Sequence, residues 1–145
     1  MEPKKLPYGI PNFKKVSEEG YHFVDKTQFV ERLESLGESY IFFLRPRKFG
    51  KSLFLSMLEH YYDINHAGEF EKLFGSLYIG KKPTSLHNSF LVLTFDFSGI
   101  NTETKEKTHE GFLNKVNSGV KRLVNKYPEI FDREIDDLLE LSSPE

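Results

Sequence analysis

Two stretches of the chain are apolar almost throughout, and several others are apolar only at every third or fourth residue. Tyr40-Ile41-Phe42-Phe43-Leu44 is a continuous run and Phe90-Leu91-Val92-Leu93-Thr94-Phe95 is broken only by Thr94, the pattern of strands buried on both faces. Residues 21–24 read as a shorter strand. Helical spacing runs through residues 27–36 (Phe29, Val30, Leu33), with Asp25 or Thr27 as cap and Gly37 as stop. It returns at residues 51–62 (Leu53, Phe54, Met57, Leu58, Tyr61) and 105–126 (Phe112, Val116, Val120, Leu123, Val124). Residues 69–74 read as a short helix. A last helix follows Pro128, with Phe131, Ile135, Leu138 and Leu139 on its apolar face. Residues 1–20, punctuated by Pro3, Pro7, Gly9 and Pro11, read as an extended lead-in. Buried strands alternating with amphipathic helices predict a layered α/β fold with a partly parallel sheet, in one domain over residues 1–145.

Composition narrows the function more than the fold. The 145 residues can bury a real core, and 14 Phe with 7 Tyr make it aromatic. A formal net charge of -2 argues against a general nucleic-acid or acidic-membrane binder, though not against a local basic patch. With no Cys there are no disulfides or thiolate metal sites. The first residues have no apolar stretch of signal-peptide length, and no run of about 18 apolar residues occurs. A cytoplasmic location without membrane attachment is expected.

The strongest candidate chemistry lies where the first apolar run ends. Residues 44–53 read LRPRKFGKSL. Gly50-Lys51-Ser52 is how a phosphate-binding loop closes, and such a loop needs a strand before it and a helix beginning on it, because backbone N–H groups at the helix N-terminus hold the phosphates. Both are predicted here. Gly50 would let the backbone approach the phosphates, Lys51 would carry a charge to the β- and γ-phosphates, and Ser52 would offer its hydroxyl to Mg²⁺. Arg45, Arg47 and Lys48 add positive potential. The plainer reading makes Gly50 a turn residue, Lys51 and Ser52 ordinary first-turn residues, and the basic run a solvated edge. Arg45 stands where glycine is usual, and Arg45-Pro46 demands an extended residue before a fixed φ, hence another entry to the loop.

The stretch Arg45-Pro46-Arg47-Lys48-Phe49-Gly50-Lys51-Ser52, followed by Leu-Phe-Leu-Ser-Met-Leu, closely resembles the loop of the bacterial AAA-ATPase-like family, in which arginine at the first position is normal. LPYGIPNFKKVSEEGYHFVDKT and FDFSGI resemble other segments of that family, in the same order. The resemblance implies a P-loop NTPase core, ATP and Mg²⁺ as ligands, and frequent joining to a C-terminal nuclease-like domain. It also implies an acidic Walker B strand further downstream, which this sequence does not contain. The chain therefore looks like the N-terminal portion of a longer ATPase, or a reduced relative, in which binding is expected more than turnover.

Two acids remain. Asp96 ends an apolar run and tempts a Walker B reading, but the resemblance assigns its position to an earlier strand, so a structural or supporting role is expected. Asp25 reads as a helix cap, with a contact to the nucleotide as the alternative. The five histidines show no i+3 or i+4 pairing, which speaks against a metal site. The rival function is a non-catalytic module whose basic loop binds a nucleic-acid backbone or an acidic protein.

Overall fold

The computed structural model describes residues 4–131. They fall into two compact units, the first ending at Phe90 and the second beginning at Leu91.

In the first unit, five helices surround one aromatic core. α1 (Phe13–Glu18) starts at Asn12, whose side chain accepts from the Lys15 N–H. α2 (Gln28–Ser35), α3 (Lys51–Tyr62), α4 (Phe70–Phe74) and α5 (Tyr78–Lys81) follow, with a 3₁₀ turn over Ile64–Glu69 leading into α4. Phe13, Val30, Met57, Tyr61, Leu73, Phe74 and Ile79 form the core, so each helix contributes at least one buried side chain. Phe74 is its centre: Phe13 stacks on it at 5.0 Å and Tyr61 meets it edge-on at 5.5 Å, the geometries that aromatic quadrupoles favour. α1 is a departure from the extended lead-in. Phe13 and Val16 lie three apart and both are buried, so packing makes a helix of a segment whose proline-rich flank suggested none.

In the second unit, α6 (Lys105–Lys126) begins at Thr104, whose hydroxyl accepts from the Lys107 N–H. Gly119 is the buried residue of this helix, because the Phe95 ring fills the space a Cβ would take. The Tyr127 hydroxyl accepts from the Val92 N–H at 2.8 Å, fastening the second apolar run to the end of α6. Phe97 continues the packing by stacking on Phe112 at 5.3 Å.

Among the described residues the predicted α/β sheet is absent. The described residues are helical, and their β pairing is one isolated parallel bridge, Asp63 to Phe90. Residues 40–44, 91–95 and 21–24 belong to no helix and to no strand ladder. Tyr40 and Phe42 are 88% and 87% exposed, where a strand buried on both faces was expected. An apolar run reports a tendency to be covered; a strand exists only where a second chain segment offers its N–H and C=O groups. The expected last helix falls almost wholly outside the described residues.

Candidate phosphate-binding loop

α3 is what makes the loop a defined object. Met57 and Tyr61 bury one face of this helix, Leu53, Phe54 and Leu58 pack at its margin, and the Ser56 hydroxyl accepts the Phe13 N–H at 3.1 Å. Its first residue, Lys51, is thereby held fixed. Gly50 precedes it with φ 75° and ψ 19°, the left-handed conformation that glycine enters freely and other residues enter at a cost of roughly 1–2 kcal/mol. A Cβ at Gly50 would meet nothing within 4 Å. Conformation therefore favours glycine here, independently of any approach of the backbone to a phosphate. Lys48 is also left-handed, at φ 67°, without glycine's freedom; such strain persists only where surrounding contacts hold it.

Two contacts close the loop on itself. The Phe43 ring, before the loop, stacks on Phe54, in the first turn after it, at 5.1 Å. The Lys51 ammonium reaches back and donates to the Arg45 carbonyl at 2.6 Å. The Arg45 guanidinium donates to the Leu44 carbonyl at 2.9 Å and lies 5.4 Å from the centre of the Phe43 ring. Lys48 donates to the Tyr8 hydroxyl at 3.1 Å, its ammonium 5.6 Å from the centre of that ring. Residues 45–50 are exposed throughout, and so is Ser52.

The electrostatics follow from composition. Arg45, Arg47, Lys48 and Lys51 lie within seven residues, and none makes an ion pair among the described residues. The first-turn N–H groups of α3 have no acceptor within the helix, since the first backbone bond closes from Phe54 to Gly50 at 2.9 Å. Positive charge and oriented donors thus share one short exposed segment at the positive end of the helix dipole.

The two acids stand elsewhere. Asp25 Oδ1 accepts from the Thr27 N–H (2.9 Å) and hydroxyl (2.6 Å), and Oδ2 accepts from the Tyr78 N–H (2.7 Å). The carboxylate therefore holds the turn that leads into α2 and ties it to the start of α5. Burial pushes its pKa up, but the Thr27 and Tyr78 hydrogen bonds outweigh that and hold it below the ordinary carboxylate value. Asp96 belongs to the second unit, is fully exposed, and uses Oδ1 to accept the Ser98 N–H at 2.9 Å. That bond, then the Ser98 hydroxyl, lowers its pKa, with Lys115 and Arg122 adding to the effect. It serves a turn.

Sequence reasoning missed Tyr8, which joins the loop through Lys48 from 40 residues away; no local spacing could have signalled it. His60 and His66 stack at 4.3 Å, yet no group of three His, Cys, Asp or Glu able to hold a metal occurs among the described residues. No helix among them is long and apolar enough to cross a membrane.

The model of the AAA-ATPase-like family, described as predicted AAA-ATPase, matches residues 7–143. The chain belongs to the AAA-ATPase-like family. The match takes in Tyr8, the basic loop, α1 to α6 and the Asp96 turn. An uncharacterized protein from the vnfD 5′ region of Azotobacter chroococcum mcd 1, a longer protein, is 52% identical over 59 residues, which are 40% of this chain and 11% of that protein. No solved structure matches. At the start of α3 Ser52 offers one exposed hydroxyl, an oxygen donor of the kind Mg²⁺ takes.

Proposed function

We propose that the chain binds ATP with Mg²⁺ through Arg45, Pro46, Arg47, Lys48, Phe49, Gly50, Lys51 and Ser52, as the phosphate-holding portion of an ATPase. The observation that carries this reading is the Lys51 ammonium, held across the loop on the Arg45 carbonyl. A neutral carbonyl keeps the lysine in place without neutralising it. A phosphate oxygen would take the carbonyl's place with a stronger, charge-assisted bond.

The N–H groups of Lys51, Ser52 and Leu53 would hold the terminal phosphates, with Arg47 and Lys48 raising the local potential. Ser52 would place its hydroxyl on Mg²⁺, which when bound neutralises phosphate charge. Phosphoryl transfer also needs an acid to fix that ion and a group to orient water. Asp96 is engaged in its own turn, so this segment supplies binding rather than hydrolysis, and a nuclease-like domain elsewhere in the full protein remains part of the proposal. Family membership supports the nucleotide over the rival basic-surface reading.

Equilibrium titration tests the choice. Mg²⁺-ATP should saturate one site per chain, weaken when EDTA removes the metal, and resist competition by duplex DNA. Absence of ATP binding, alongside DNA binding that collapses steeply with salt, would overturn the reading in favour of a basic surface for nucleic acid.

A further inference from the structure

Beside the loop stands an aromatic ring with no packing role. Tyr8 is 82% exposed, so its ring buries almost nothing, yet it is not left free. The Lys48 ammonium donates to its hydroxyl, at the edge of the ring and 5.6 Å from its centre. Its segment is pinned from both sides: Gly9 turns it at φ 70°, and the Lys5 carbonyl accepts the His22 N–H at 2.8 Å. A large ring is thus held in water, within a lysine's reach of a backbone that turns left-handed at both Lys48 and Gly50.

We propose that Tyr8 is the surface on which the base of the bound nucleotide stacks, with Lys48 positioning the ring. This inference rests on the phosphate-loop reading and extends it from phosphates to base. Every nucleobase has a π-face, and an exposed aromatic ring is the common protein partner for it. The Lys48 ammonium is suited to bridge the two halves of the ligand, since one of its protons goes to the Tyr8 hydroxyl and the others remain for phosphate. The ring gives a platform without hydrogen-bond selectivity, so purine nucleotides of either kind should be accepted.

The test compares two ligands on the full chain: Mg²⁺-ATP, which has a base, and Mg²⁺-tripolyphosphate, which has none. Tyr8→Ala should weaken ATP about tenfold, the loss of one base-stacking contact, and leave tripolyphosphate affinity unchanged. Tyr8→Phe keeps the ring but loses the Lys48 hydrogen bond that positions it, so it should weaken ATP less than Tyr8→Ala does. Tyr8→Ala binding ATP like the parent, or losing both ligands equally, would overturn the base-stacking role. Lys51→Ala separates the two claims, since it should weaken both ligands alike. A parent chain that binds neither ligand would overturn the phosphate loop and the base platform together, whereas a parent that binds both while Tyr8→Ala changes neither would overturn the platform alone.

Discussion

The Lys51 ammonium and the Arg45 carbonyl, six residues apart in sequence, meet at 2.6 Å. The first and seventh residues of the eight-residue motif are therefore in direct contact. The loop is closed by its own charged side chain, and the Phe43–Phe54 stack closes it again one layer further out. This explains why arginine is acceptable at the first position: the residue contributes its carbonyl to the closure while its side chain lies over Phe43. The unusual entry and the lysine form one arrangement.

Thr27 should matter to stability far more than its size suggests. It is fully buried, its hydroxyl donates to Asp25 Oδ1 at 2.6 Å, and it accepts the Ile79 N–H at 3.1 Å. Thr27→Val leaves that buried N–H without an acceptor, a loss of about 1–3 kcal/mol. Urea unfolding should show it, and an unchanged midpoint would show the bond is dispensable. Asp25 adds a pH dependence. Its depressed carboxyl stabilises the fold above the unfolded value of about 4, and the contribution fades as pH falls through the folded value. Asp25→Asn should therefore flatten the acid limb of the stability profile below about pH 4.

The legibility of the chain divides along the same line. α3 and α6 can be read from sequence because their apolar stripes, and the Gly50 and Thr104 starts, are local signals. The basic loop is readable for the same reason. The Asp25–Tyr78 tie spans 53 residues and the Lys48–Tyr8 contact 40, so neither has a periodic trace. α5 has four residues, too few for a period to appear. The sheet expectation failed because apolarity at residues 40–44 carries no information about which segment, if any, lies alongside. α1 did leave a sign, an Asn12 start before Phe13 and Val16 at helical spacing, which the neighbouring prolines obscured.

Gly80 should tolerate no side chain. A Cβ there would lie 1.9 Å from the Phe74 carbonyl oxygen and 2.3 Å from its carbon. That is backbone at the centre of the core, with no rotamer to turn aside. Gly80→Ala should cost on the order of 1–3 kcal/mol or more. A thermal midpoint equal to the parent's would contradict this packing of α4 against α5.

Tyr62 should make the chain sensitive to alkali. Its hydroxyl is raised well above the ordinary phenol range, first by burial and then by Glu34, whose carboxylate accepts its hydrogen bond at 3.0 Å. A raised folded value means the stabilisation is complete below the unfolded value of about 10 and is lost as pH climbs toward the folded one. Tyr62→Phe should be less stable than the parent at neutral pH, and the difference should shrink above about pH 10. A constant difference across that range, followed by circular dichroism, would show that the hydroxyl does not couple folding to its proton.

The central claim is tested most directly by thermal melting of the chain with and without Mg²⁺-ATP, run beside Lys51→Ala. A ligand that binds only the folded state stabilises it by about 2.7 kcal/mol at a hundredfold excess over Kd, a rise of roughly 5–15 °C for a domain near this size. Lys51→Ala should melt close to the parent without ligand, because alanine is a good helix former and water replaces the exposed bond to the Arg45 carbonyl. With Mg²⁺-ATP it should lose most of the rise. A parent chain whose melting point does not move with Mg²⁺-ATP, or a Lys51→Ala chain that keeps the full rise, would contradict the account.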